Sequence, residues 1–139
     1  MIDDPDGSLL LGALSLDIHL PDGPILPGGG VLNMAWHLRQ QDVPFRLITR
    51  IGDDRPRLFL DLLDRHGITY VPGSIVGVGS SASIDVVIQP DRQPYMDHFV
   101  EGVCADFRLT DEEVDIVAGA HRLHAVLVEG VIAEMGRLA

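Results

Sequence analysis

The stretch Leu26–Arg39, "LPGGGVLNMAWHLR", places three consecutive glycines directly before a helix. Apolar residues at 31, 34, 35 and 38 recur at helical spacing, and Asn33 is a polar residue in the first turn. Glycine is costly to order and is the poorest helix former after proline, so three in a row need a reason. Bare backbone at a helix entrance exposes N–H groups and the positive end of the helix dipole to ligand oxygens.

Short apolar or alternating segments on both sides of this stretch predict β-strands. The first is the run "SLLLGALSLDIHL" at 8–20, which is predicted to end as a strand near Asp17. Four more strands are predicted within 43–52, 83–88, 95–100 and 123–130. The pair at 83–100 surrounds the turn "QPDRQP" and is predicted to form a small flap.

Two more helices lie between these strands. The second helix is predicted to begin with Asp53 or Asp54 as its cap and to end at Gly67. The third opens with a capping box formed by Thr110 and Glu113. Strands that alternate with helices predict an α/β fold with a largely parallel sheet covered on both faces.

Composition excludes several classes of function. The chain has 139 residues, the size of one domain, and a net charge of −11 from ten arginines and 21 acidic residues. Such an acidic chain repels nucleic acid and anionic membranes, so neither is expected as a partner. The sequence contains no lysine, which excludes a phosphate-binding P-loop. The lone Cys104 excludes an internal disulfide, and the acidic start does not resemble a secretion signal, so a cytoplasmic location is expected.

Asp17, the glycines and Asn33 together suit a polyhydroxylated ligand. A carboxylate accepts hydrogen bonds from hydroxyl groups, while an amide and backbone N–H groups donate to them. Asp17 is predicted at the carboxyl end of a strand, where open α/β sheets bind ligands. The alternative is structural, because glycine-rich loops also serve only as turns and strand-end aspartates as caps.

In its combination of motifs the chain resembles the amino-terminal half of the ribokinase-like (PfkB) carbohydrate kinases, most closely the fructokinase-like branch. The motifs that carry the resemblance are "LLLGALSLD", "PGGGVLNMAWHL", "RLITRIGDD" and "LLDRHGI", followed more weakly by "SASIDVVIQPD" and "LHAVLVEG". The resemblance implies a three-layer αβα sandwich over residues 1–139, with lid strands near 18–27 and 75–100.

The same resemblance implies the function. Asp17, Gly28, Gly29 and Asn33 match residues that hold sugar hydroxyls, and Glu129 matches a weaker substrate position. The family transfers a phosphoryl group from Mg²⁺-bound ATP to a sugar CH₂OH. Its nucleotide site and its GAGD motif lie in a second half that this chain lacks, so no catalytic, cofactor-binding or metal-binding residue is predicted here. Arg57 departs from the glycine that the family usually has.

Three functions are therefore open from the sequence. The first is a sugar kinase represented by its sugar-binding half, with the chain alone inactive. The second is a non-catalytic, half-length sugar-binding or regulatory module. The third is an interaction protein that uses the flap strands as a pairing edge. A homo-oligomer or a missing carboxy-terminal half is expected as a partner, because "AVLVEGVI" would leave a sheet edge open.

Three single residues are predicted to be structural. Trp36 is predicted to pack in the core. His121 and His124 are predicted to form a solvent-facing pair at a helix end rather than a metal site.

Overall fold

The computed structural model describes residues 7–72 and 75–139. The acidic segment at 1–6, on which the prediction about secretion depends, lies outside the described residues. The strands are β1 Ser8–Leu11, β2 Ser15–Leu20, β3 Ile25–Gly28, β4 Phe45–Ile48, β5 Ala82–Ile88, β6 Pro94–Val100 and β7 Arg122–Ala125. The helices are α1 Gly30–Gln40, α2 Pro56–Arg65, α3 Asp111–Gly119 and α4 Glu129–Leu138, with a 3₁₀ turn at Gly102–Cys104.

The main sheet has the order β4-β1-β7, and all its strand pairs are parallel. Because side chains alternate along a strand, β1 divides its leucines between two cores. Leu10 packs with Leu47 and the buried residues of α1 and α2. Leu9 and Leu11 pack on the opposite face with Val131 of α4 and with partly buried residues of α3. Helices on both faces of one sheet make the predicted three-layer αβα arrangement.

A second sheet of four strands, which we call the flap sheet, has the order β3-β2-β5-β6. The β2–β3 and β5–β6 pairs are antiparallel, and β2 pairs with β5 in parallel. All seven residues of β6 are exposed. The strands predicted at 83–88 and 95–100 are confirmed as β5 and β6, and the 18–27 segment contains half of β2 and three of the four residues of β3.

The prediction of one strand through 8–20 is wrong. The chain leaves the main sheet after Leu11 and enters the flap sheet at Ser15. Gly12 lies at the break, where an added Cβ would be only 3.0 Å from the Cβ of Val31 and 3.2 Å from that of Val126. The N–H group of Leu14 bonds the Thr49 hydroxyl at 3.2 Å instead of continuing the sheet ladder. Asp17 therefore lies within β2, not at the end of β1.

Helix boundaries were predicted with mixed success. The capping box at α3 is confirmed, because the Thr110 hydroxyl accepts from the Glu113 N–H group and the Glu113 carboxylate accepts from the Thr110 N–H group. The aspartate cap of α2 is wrong. Arg55 occupies the cap position without a side-chain bond, and Asp54 instead accepts hydrogen bonds from Ser81. Gly67 does end this helix, with a φ angle of 63°.

The carboxy-terminal strand is shorter than predicted. β7 stops at Ala125, and α4 begins at Glu129 without having been predicted. His124 lies within β7 and His121 precedes it, so the two do not form a pair at a helix end. Trp36 is not a core residue: it is 39% exposed and packs edge to face on His66 at a centroid distance of 4.7 Å.

Candidate functional site

The glycines before α1 are packed against the carboxylate of Asp17. β2 and β3 pair antiparallel, with Ser15 opposite Gly28 and Asp17 opposite Leu26. A Cβ added to Gly28 would lie 2.5 Å from Oδ1 of Asp17 and 2.6 Å from its Cγ. No side chain fits there, so glycine at position 28 leaves room for the Asp17 carboxylate over the backbone.

At the next two positions, glycine is required by nearby backbone and side-chain atoms of the protein itself. Gly29 has a φ angle of 113°, which favours glycine, and an added Cβ would lie 2.8 Å from the carbonyl oxygen of Ala13. At Gly30 the nearest atom would be a methyl carbon of Val126, at 3.1 Å. Part of the reason for three glycines is therefore close packing inside the protein, which does not itself require a ligand.

Asp17 is a half-buried carboxylate without a cationic partner among the described residues. Burial raises its pKa above the usual value, and the nearby His19 and the Ser15 hydroxyl offset only part of that effect. A carboxylate held in this way still has capacity to accept hydrogen bonds. Hydroxyl donors from a ligand would stabilise its charged form.

Gly29 and Asn33 belong to the entrance of α1. Gly29 is the cap residue of the helix, and its carbonyl accepts the N–H group of Asn33 at 3.2 Å. The Asn33 side chain is exposed and lines a shallow apolar cavity of about 270 Å³ together with Met34, His37 and His124. No hydrogen bond joins Asn33 to Asp17 in the described chain.

Glu129 is exposed at the first position of α4. It lies at the carboxyl edge of the main sheet, because the N–H group of Val126, in the loop that precedes it, donates to the carbonyl oxygen of Leu11 at the end of β1. No hydrogen bond links Glu129 with Asp17. The structure thus brings Asp17 and Gly28 into direct contact and leaves Asn33 and Glu129 as separate exposed groups near the same edge.

Sequence reasoning missed a buried ion pair elsewhere in the molecule. Arg50 bonds both carboxylate oxygens of Glu113, at 2.9 and 2.5 Å, and also the carbonyl oxygens of Thr49 and Arg108. Burial opposes the ionisation of Glu113, but bonds from Arg50 and the Thr110 N–H group outweigh it and lower the pKa. The sequence pointed to Glu113 only as part of the capping box, and nothing in it indicated a second bond to Arg50.

A second charged cluster and the "GDD" turn are also structural. Glu134 is 1% exposed and accepts bonds from Arg137, Arg108 and the Leu109 N–H group. The bond from Arg137 is the largest contribution to lowering the pKa of Glu134 to about 2. In the "GDD" turn, the Asp54 carboxylate accepts hydrogen bonds from the N–H group and the hydroxyl of Ser81, which directly precedes β5 of the flap sheet.

Two kinds of catalytic centre can be tested directly in the described residues, a cysteine nucleophile and a metal site. Burial raises the pKa of Cys104 to about 11, so its thiol is a poor nucleophile. No group of three histidine, cysteine, aspartate or glutamate side chains in residues 7–72 and 75–139 could hold a metal ion. Over the same residues, no helix combines the length and the apolar character that crossing a membrane requires.

Solved structures with the same fold include ribokinases and a fructokinase. The chain superposes on a fructokinase from Halothermothrix orenii with a TM-score of 0.71 at 14% identity, over 95% of this chain and 52% of that one. A ribokinase from Arabidopsis thaliana, complexed with ribose and ATP, gives 0.69 at 20% identity, over 86% and 45%. A ribokinase from Thermotoga maritima gives 0.69 at 19%, over 84% and 43%.

These similarities show that the chain has a ribokinase-like fold, which confirms the fold predicted from the sequence motifs. The chain spans about half the length of these solved structures. No protein-family model and no curated protein matches the sequence.

Proposed function

We propose that this chain binds a sugar at Asp17 and forms the sugar-binding half of an ATP-dependent carbohydrate kinase. One observation carries the proposal: Asp17 is a half-buried carboxylate that makes no ion pair with any described residue and lies over bare glycine backbone at a helix entrance. The fold supports it, because the solved structures with this fold include ribokinases and a fructokinase.

The proposed roles follow from hydrogen-bonding capacity. Asp17 accepts bonds from sugar hydroxyls, and backbone N–H groups after Gly28 and Gly29 donate to sugar oxygens. Asn33 can do both. Glu129 contributes least, because an exposed acceptor exchanges a bond to water for a bond to the ligand at small net gain.

Calorimetric titration with D-fructose and D-ribose tests this role of Asp17. A hydrogen bond to a charged group is worth about 1.5–3 kcal/mol, so Asp17→Ala should weaken binding by one to two orders of magnitude. Asp106→Ala is the matched control, because Asp106 is exposed and distant in sequence from the proposed site. Equal affinities for Asp17→Ala and the unmodified chain would contradict the proposal.

ATP and Mg²⁺ are implied only by the resemblance to the carbohydrate kinases. The described residues do not fit Mg²⁺-bound ATP, because no group of three of their histidine, cysteine, aspartate or glutamate side chains could hold a metal ion and the sequence has no GAGD motif, so no phosphoryl-transfer step is assigned to them. We expect the chain alone not to phosphorylate sugars. Turnover of ATP with fructose or ribose, in a preparation free of other kinases, would contradict this expectation.

The geometry of Asp17 also fits the second function, a sugar-binding or regulatory module without catalysis. Both functions predict sugar binding, and they differ in the size of the native protein. An antibody raised against this chain, used on extracts of the source cells, should detect a protein about twice the size of the 15.1 kDa chain if it belongs to a kinase. A band at 15.1 kDa, without a larger one, would favour the module.

We also propose that the open edge of the main sheet pairs with a second copy or with a carboxy-terminal half in the cytoplasm. β7 bonds only β1 among the described strands. Two apolar side chains that follow it are exposed, Leu127 at 58% and Ile132 at 52%. Light scattering over a range of concentrations should show self-association of the isolated chain, and a monomer at the highest concentration would contradict pairing with a second copy.

A further inference from the structure

The imidazole of His19 is held in one orientation by the turn that follows β2. Its Nδ1 lies 3.1 Å from the carbonyl oxygen of Pro24. A carbonyl oxygen can only accept, so the proton of this bond is on Nδ1, and Nε2 of the neutral ring keeps its lone pair. The ring therefore presents a hydrogen-bond acceptor at the end that the turn does not use.

The backbone around His19 is equally constrained. Its N–H group donates to Pro24 at 3.1 Å, and its carbonyl accepts from Gly23 at 2.9 Å. A Cβ added to Gly23 would lie 2.7 Å from the Cβ of His19, so only glycine allows the turn to close this tightly. Two bonds to Pro24 and one from Gly23 thus fix both the main chain and the side chain of His19.

His19 lies on the same face of the flap sheet as Asp17. The two residues are two positions apart in β2, and side chains at i and i+2 of a strand share a face at a spacing of about 6.6 Å. A ligand that bonds Asp17 and extends along β2 toward the 20–24 turn reaches the imidazole.

We propose that His19 is a second ligand-binding residue of the Asp17 site, whose Nε2 accepts one hydroxyl of the sugar and selects sugars that carry a hydroxyl at that position. This inference rests on the proposed function, because it needs a sugar at Asp17. Asp17 then provides most of the affinity, and His19 provides discrimination among sugars.

The substitution His19→Asn separates the two ends of the ring. An asparagine amide keeps a donor near the position of Nδ1, for the bond to Pro24, and has no group that reaches the position of Nε2. The experiment is calorimetry with D-fructose, D-ribose and their singly deoxygenated analogues, on the unmodified chain, on His19→Asn and on the control His121→Asn. His121 is exposed and outside both sheets.

We expect His19→Asn to weaken binding of the preferred sugar about fivefold, the effect of one neutral hydrogen bond. One deoxy analogue should bind the unmodified chain about fivefold more weakly than its parent, and this difference should vanish in His19→Asn and persist in His121→Asn.

Three outcomes would overturn the inference. If the unmodified chain binds sugars and His19→Asn binds every analogue equally well, His19 does not contact the ligand, and the proposed function stands without it. If His19→Asn weakens all analogues by the same factor and lowers the melting temperature, the residue is only structural. If the unmodified chain binds no sugar, the proposed function fails first, and this inference fails with it.

Discussion

Asp17 and Glu113 are carboxylates of one small protein that differ in what surrounds their charge. Glu113 is 2% exposed, yet its pKa is lowered, because Arg50 and the Thr110 N–H group supply donors that outweigh its burial. Asp17 is only half-buried, yet its pKa is raised, because the protein supplies too few donors to compensate for lost water. A buried charge that is fully bonded serves the fold, whereas a charge left short of donors is a candidate for binding a ligand.

The difference extends to the backbone near each residue. Glu113 is attached to the start of α3 by a reciprocal cap, and Arg50 also lies over the ring of Phe107 at 5.0 Å. Around Asp17 the chain provides the bare backbone of Gly28, and only the nearby His19 and the Ser15 hydroxyl offset part of the effect of burial. The Glu113 region is closed by its own contacts, and the Asp17 region stays accessible.

Breaking the buried pair should have the largest effect. Arg50→Ala leaves Glu113 charged, buried and short of its main donor, which should reduce the free energy of unfolding by about 3–5 kcal/mol. Urea denaturation followed by circular dichroism measures this loss. Arg57→Ala is the control, because Arg57 pairs with Asp61 on the surface of α2, where such pairs are worth about 0–1 kcal/mol. Similar losses in the two variants would mean that the Arg50 network does not stabilise the fold.

The pH dependence of stability should have opposite signs for Glu134 and Asp17. The pKa of Glu134 is lowered from 4.5 to about 2, so its ionised form stabilises the fold above about pH 4.5, and this contribution is lost as the pH falls toward 2. Glu134→Gln should therefore be less stable than the unmodified chain at neutral pH, with the deficit shrinking in acid.

Asp17 behaves in reverse, since a raised pKa favours the protonated form. Its contribution is present below the ordinary pKa and is lost as the pH rises through the raised value. Asp17→Asn should thus be at least as stable as the unmodified chain at neutral pH, and the difference should disappear in acid. Thermal melts at several pH values test both variants, and a destabilised Asp17→Asn at neutral pH would place Asp17 among the structural carboxylates.

Glycine substitutions give a smaller contrast. Gly28→Ala puts a methyl group where the Asp17 carboxylate lies, and such overpacking costs about 1–3 kcal/mol. Gly136→Ala, inside α4 and in open space, should instead stabilise the chain by about 0.5–1 kcal/mol. Denaturation midpoints compare the two, and a neutral Gly28→Ala would show that the carboxylate has room to move.

The sequence predicted the layers of the fold better than the division of its strands. Capping, helical periodicity and alternation are local, and they located α1, α3 and β5 correctly. The switch between sheets at Gly12 depends on contacts with Val31 and Val126, which are distant in sequence. Local patterns therefore could not separate β1 from β2.

The candidate site shows the same limit. The resemblance to the family assigned Asp17 and Gly28 to one predicted sugar site, and the structure places these two residues in contact. No pattern indicated that Arg50 would meet Glu113, because 63 residues separate them. The position of His19 also depends on a turn whose closure around Gly23 is visible only in three dimensions.

The most direct test of the central claim is an NMR pH titration of the side-chain carboxyl of Asp17, with and without D-fructose or D-ribose. The free protein should show an Asp17 pKa above the ordinary 3.8, and a bound sugar should lower it, because hydroxyl donors stabilise the charged form. The pKa of Glu134 should stay near 2 in both conditions. An Asp17 pKa at or below 3.8 in the free protein, or one that saturating sugar leaves unchanged, would contradict its role as the ligand carboxylate.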